Sequence, residues 1–122
     1  MVFLEESKSV LIQPQGLLDS QGGASLQQQI SAIEHQRYPL WILDLSQVEF
    51  IDSAGLFALV SGLNTASRNQ CRLVVCNLPP AVQIIFEITQ LDQAFEIFES
   101  QADVAAAYQR TPMLLHSVRQ AA

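Results

Sequence analysis

The run Leu40-Trp-Ile-Leu-Asp-Leu45 is apolar at every position but one, and Leu73-Val-Val-Cys76 echoes it further along the chain. Strands without apolar/polar alternation are covered on both faces, as the central strands of parallel sheets are. Between the two runs, Leu56, Leu59, Val60 and Leu63 recur at the spacing of a buried helical stripe. A helix set between two strands carries the chain back over the sheet, so the strands pair in parallel. The chain is therefore expected to be an α/β domain.

The remaining elements follow from the same periodicities. Val2–Leu4 and Val10–Gln13 read as short strands around the polar turn 5–9, and Pro14 places the second at an edge or a bulge. Asp19-Ser-Gln-Gly-Gly23 reads as a loop. A helix is expected from about Ala24 to Gln36, burying Leu26, Ile30 and Ile33, and Tyr38-Pro39 closes it. After the turn Ser46–Glu49 comes Phe50-Ile51, and the second helix then runs to about Ser67. Pro79-Pro80 opens a third helix with proline in its favoured first turn, its stripe being Val82, Ile85, Phe86 and Thr89. Phe95–Phe98 is the last strand and Gln101–Gln109 the last helix, built on Val104, Ala105 and Tyr108. The expected order is ββαβαβαβα, with one domain over residues 1–110 and a weakly amphipathic tail or short appended helix over 111–122.

Composition excludes several classes of function. The net charge is −6, and the six basic residues (Lys8, Arg37, Arg68, Arg72, Arg110 and Arg119) are scattered. Binding a phosphate backbone or an anionic membrane surface requires clustered cations, so neither nucleic acid nor membrane is an expected partner. No apolar run approaches a membrane span, and the acidic N-terminus is unlike a secretory leader, so a cytoplasmic protein is expected. Cys71 and Cys76 flank a strand and point to opposite faces, a poor geometry for a disulfide. Two cysteines without neighbouring histidines do not complete a metal shell, and no metal is expected. Neither a phosphate-binding loop nor a dinucleotide fingerprint is present. His35 and His116 read as solvated side chains with no nucleophile beside them in sequence. The expectation is a protein that is not an enzyme and carries no cofactor.

The junction Asp52-Ser-Ala-Gly-Leu56 stands out. Asp or Ser between a strand end and a helix accepts hydrogen bonds from the unpaired first-turn amides. Gly55 is unexplained by capping, since glycine inside a helix costs about 0.5–1 kcal/mol relative to alanine. A bare backbone there suits another surface that approaches closely, or a first turn that must stay pliable.

The segment Leu43-Asp-Leu-Ser-Gln-Val-Glu-Phe-Ile-Asp-Ser-Ala-Gly-Leu56 resembles the signature of the STAS domain, shared by sulfate transporters and anti-sigma factor antagonists. Gly16-Leu-Leu-Asp19 resembles the Gly-Glu-Leu-Asp segment of that family's second functional strand. Leu73-Val-Val-Cys-Asn77, Pro80-Ala-Val82 and Phe86 through Leu91 are similar to its strand-helix-strand ending. The likeness spans roughly residues 8–108. It implies a mixed sheet of four to five strands with about four helices packed mainly on one face.

The resemblance also implies a function. Soluble single-domain members bind an anti-sigma factor that is also a serine kinase. The kinase phosphorylates a serine in the loop opening the second helix, binding is lost, and a PP2C-type serine phosphatase restores it. Ser53 matches that hydroxyl. The implied partner-binding residues are Asp19, Ser20, Gly22, Gly23, Asp52, Ser53, Ala54, Gly55, Leu56 and Phe57. Many relatives carry a second hydroxyl where this chain has Ala54, an acid where it has Leu17, and glycine where it has Phe57. Phe57 lies off the buried stripe and reads either as an exposed anchor for a partner or as a rim contact to the core. The alternative within the family is a regulatory or scaffold module of another signalling or transport system.

Overall fold

The structure, a computed structural model, describes residues 9–110. The two apolar runs form its centre. Strand β3 (Leu40–Asp44) lies beside β5 (Arg72–Cys76), with Trp41 opposite Leu73 and Leu43 opposite Val75. Strand β1 (Ser9–Ile12) flanks β3 and β6 (Glu96–Phe98) flanks β5, giving the order β1-β3-β5-β6. Two shorter strands, β2 (Gly16–Leu18) and β4 (Val48–Ile51), form a separate pair. Every pairing among the described strands is parallel.

Helices α1 (Ser20–Glu34), α2 (Ser53–Arg68) and α3 (Pro80–Ile88) supply the larger core, with Trp41, Leu43, Leu73 and Val75 facing them. A single turn of helix, α4 (Leu91–Ala94), leads into β6, and Pro80 takes the first helical position of α3. Helix α5 (Gln101–Arg110) covers the opposite face, where Val104 meets Val74 and Cys76 beside Ile42, Phe98 and Tyr108. Alternate residues of β3 and β5 thus enter different cores, which is why neither strand shows a polar face.

The order differs from expectation by β2, β4 and α4. The strand expected at Val2–Leu4, His116 and the tail 111–122 lie outside the described residues. Helix α1 begins at Ser20, not near Ala24, so the Gly-Gly pair that reads as a loop belongs to its first turn. Both cysteines are free, and burial holds the Cys71 thiol above its ordinary pKa. Burial, with the Asp44 charge, pushes Cys76 up to about 11.

Asp44 ends β3 at 2% exposure, held by neutral donors. Its Oδ1 accepts from the Ser46 amide at 2.9 Å; its Oδ2 accepts from Asn77 at 3.1 Å and Gln101 at 2.6 Å. These bonds tie β3, the end of β5 and α5 together. Burial raises the pKa of the carboxyl, but the hydrogen bonds from Gln101, Ser46 and Asn77 outweigh it and leave it below the ordinary 3.8. At the far end, α2 closes in a Schellman turn. The Gln70 amide donates to Ser67 O at 3.0 Å and the Cys71 amide to Ala66 O at 2.8 Å, with Gln70 left-handed at φ 60°.

Two outcomes follow. Gln70→Gly removes a side chain from a left-handed residue and should stabilise the domain by about 1 kcal/mol in urea denaturation. Asp44→Asn turns an acceptor into a donor facing donors and should lose roughly 1–3 kcal/mol at pH 7. A carboxyl with a depressed folded pKa contributes stability above its unfolded pKa, and that contribution disappears as pH falls through the folded value. The gap between wild type and Asp44→Asn should therefore narrow on acidification from about pH 4 downward.

Candidate partner-binding site

The β2-β4 pair positions the site. Gly16 pairs with Val48, but Leu17 pairs with Phe50, so Glu49 is an extra residue in β4 and makes a bulge. Gly16 sits at φ 79°, a left-handed conformation that its missing side chain permits. Without the bulge, alternation from buried Val48 would turn Phe50 inward. With it, Phe50 turns out and Ile51 turns in. Leu17 and Phe50, neighbours in register, are 51% and 52% exposed. Helix α3 packs beside β4, and its own exposed apolar residues are Ile84 and Ile88.

Both strands end in the same way. Asp19 follows β2 and caps α1, its Oδ1 accepting from the Gly22 amide at 2.9 Å. Asp52 follows β4 and caps α2, its Oδ1 accepting from the Gly55 amide at 3.0 Å. The residues after the caps, Ser20 and Ser53, are exposed first residues of their helices. Phe57 stands one turn beyond Ser53 on the same side of α2 and is 68% exposed.

The glycines answer to the chain itself. A Cβ on Gly55 would collide with the Leu18 carbonyl oxygen, and one on Gly22 with that of Leu17. A Cβ on Gly23 would press on Ala58 Cβ at 3.1 Å and the Ala54 oxygen at 3.3 Å. The surface that closely approaches Gly55 is therefore strand β2. The small residues Gly55, Ala58, Gly62 and Ala66 form the most buried row of α2 with Leu59, while the expected Leu56, Val60 and Leu63 are only half-buried.

Of the residues expected to meet a partner, Ser20, Ser53 and Phe57 reach solvent. Asp19, Gly22, Asp52, Ala54 and Leu56 are half-buried around them, and Gly23 and Gly55 are buried. Sequence reasoning misses Leu17 and Phe50 as surface residues, because a bulge between two short strands leaves no periodic trace. The acids Asp19, Glu49 and Asp52 border the exposed apolar groups. Arg37, Arg68 and Arg72 lie at the opposite end, where helices α1 and α2 finish and β5 starts. Among the described residues no helix is long and apolar enough to cross a membrane.

Comparison with known proteins gives a consistent pattern. The STAS domain family model matches residues 3–104. BtrV of Bordetella bronchiseptica, provisionally named an anti-sigma factor antagonist, is 30% identical over 94 residues, which are 77% of this chain and 81% of BtrV. An anti-sigma factor antagonist from Mycobacterium paratuberculosis superposes with a TM-score of 0.72 at 27% identity, covering 82% of this chain and 86% of that one. A sulfate transporter family protein from Wolinella succinogenes shares the fold with a TM-score of 0.75 at 16% identity, covering 87% and 88% of the two chains.

The glycine contacts separate two kinds of crowding. At Gly55 an added methyl meets a backbone carbonyl that has no freedom to turn away, so Gly55→Ala should lose about 3 kcal/mol. At Gly62 it crowds the Ile30 Cδ1 tip at 2.7 Å and makes ordinary contact with Leu73 Cδ1 at 3.9 Å. That tip can rotate and alanine favours the helix, so Gly62→Ala should stay within about 1 kcal/mol of wild type by urea denaturation.

Proposed function

The chain belongs to the STAS domain family, and from that premise we propose that it is an anti-sigma factor antagonist switched by phosphorylation of Ser53. In this reading the unmodified chain binds an anti-sigma factor that is also a serine kinase. The kinase ends its own capture by modifying Ser53, and a PP2C-type serine phosphatase resets the chain. The protein acts by docking and performs no turnover of its own. Relatives at 27% and 30% identity carry the antagonist name, whereas the likeness to the transporter family protein, at 16%, concerns the fold.

The observation that carries the reading is where Ser53 stands. The exposed Ser53 opens α2 one turn before Phe57 and follows the Asp52 cap at the end of β4, whose Phe50 faces solvent beside Leu17. Aromatic side chains with large exposed areas are the usual anchors of protein interfaces. A phosphoserine brings about −1.5 to −2 charges. The first-turn amides and the helix dipole accept an anion at this position, so the fold tolerates the modification. A partner pressed onto Phe50 and Phe57 instead meets new bulk and charge beside Asp52 and Glu49. Unfavourable charge placed in an interface costs several kcal/mol, and each 1.4 kcal/mol is about tenfold in affinity.

The test uses the cognate kinase recovered from the cells that make the chain. In calorimetry without ATP, Ser53→Ala should bind as the unmodified chain does, and Ser53→Asp should bind at least about tenfold more weakly. Circular dichroism of both variants should match wild type. Incubation of wild type with kinase and ATP that leaves Ser53 unmodified would overturn the reading.

A further inference from the structure

The Asp-Ser-x-Gly sequence at Ser53 occurs a second time, as Asp19-Ser-Gln-Gly22, and we propose that Ser20 is a second phosphate acceptor for the same kinase. The inference rests on the switch reading of Ser53. These are the two places in the chain where serine directly follows aspartate, and both also have glycine two residues later.

The structure gives the two copies the same shape. Each follows a strand of the β2-β4 pair, in which Leu18 is the register partner of Ile51, so the two caps leave adjacent strand ends pointing the same way. Asp19 and Asp52 share an extended backbone, with φ −112° and ψ −158° against φ −107° and ψ −170°. Both bond the glycine amide three residues on, at 2.9 and 3.0 Å. Each serine is the exposed first residue of a long helix. The copies also touch, because Gly23 of α1 packs against Ala54 and Ala58 of α2. Ser100, at the start of α5, differs, because its hydroxyl is engaged as a cap that accepts from the Asp103 amide at 3.1 Å.

A kinase site that accepts the extended Asp, the exposed Ser and the tight glycine turn at Ser53 meets the same backbone and donor pattern at Ser20. The Ser20 Oγ attacks the γ-phosphorus of kinase-bound ATP. The new O–P bond forms as the bond to the β,γ-bridging oxygen breaks, a base of the kinase takes the hydroxyl proton, and ADP leaves. A phosphate there adds its charge to the same docking surface, giving the chain three modification levels: zero, one and two phosphates.

The full-length chain, its Ser53→Ala variant and the Ser20→Ala/Ser53→Ala double variant are recovered from the native cells with phosphatases inhibited, and phosphate is mapped by tandem mass spectrometry. The expected result is phosphate on both serines of wild type, on Ser20 alone in Ser53→Ala, and on neither position of the double variant. Phosphate at Ser20 in wild type that vanishes in Ser53→Ala also makes Ser20 an acceptor, one modified after Ser53. Phosphate confined to Ser53, with none on Ser53→Ala, overturns this inference and leaves the switch reading standing. A chain bare at both serines overturns both. The substitutions are at exposed first-turn positions, and circular dichroism of each variant checks that the fold is retained.

Discussion

Strand β2 is only three residues long, yet its backbone carbonyls set the positions of two helices. The Leu17 oxygen lies under Gly22 of α1 and the Leu18 oxygen under Gly55 of α2. Leu18 O also accepts from the Asp52 amide at 3.2 Å, which fixes the strand end from which α2 departs. Glycine lets both helix backbones approach this strand more closely than any side chain permits. The two first turns consequently rest on one support and against one another. A side chain at either glycine would lift its helix and move its serine away from the apolar pair Leu17 and Phe50.

That close packing explains an apparent extravagance. Glycines in a helix forgo side-chain burial and cost conformational entropy. Here they exchange it for contact between backbones, and the large apolar residues bury elsewhere: Leu26 and Ile30 from α1, Leu59 from α2, Trp41 and Leu43 from the sheet. The other face of the sheet is held differently, by the smaller Val74, Cys76 and Val104 cluster and by the buried Asp44 that reaches α5 through Gln101. A bidentate Arg72–Glu96 pair, at 3.0 and 2.9 Å, joins β5 to β6, and Arg72 lies 5.3 Å from the Tyr108 ring of α5. The end that carries Ser53 leaves Phe50 and Phe57 uncovered.

Much of this was legible in the residues. Leu40–Leu45 and Leu73–Cys76 read as central strands because both of their faces are apolar. Asp52 reads as a cap because a carboxylate at a strand-helix junction has few better uses, and Phe57 reads as an exposed anchor or a rim contact because it falls off the apolar stripe. The start of α1 was not legible in the same way. Gly22-Gly23 is locally a breaker, and only the Asp19 cap and the pressure of β2 and α2 make it helical. Gly55 suited either a close approach or a pliable first turn, and only the fold shows that the chain's own Leu18 approaches it.

What the amino-acid order determined by itself is the alternation of apolar periods, and with it the parallel sheet, its covering helices and the capped serine loop. These depend on neighbours within a few positions, which is the range over which periodicity and capping act. The tertiary structure decided which residues became surface. The bulge at Glu49 turned Phe50 outward, the register of β2 on β4 set Leu17 beside it, and the same register brought Ser20 to the end that carries Ser53. Those outcomes depend on pairing between strands some thirty residues apart, and no local pattern along the chain encodes such a pairing.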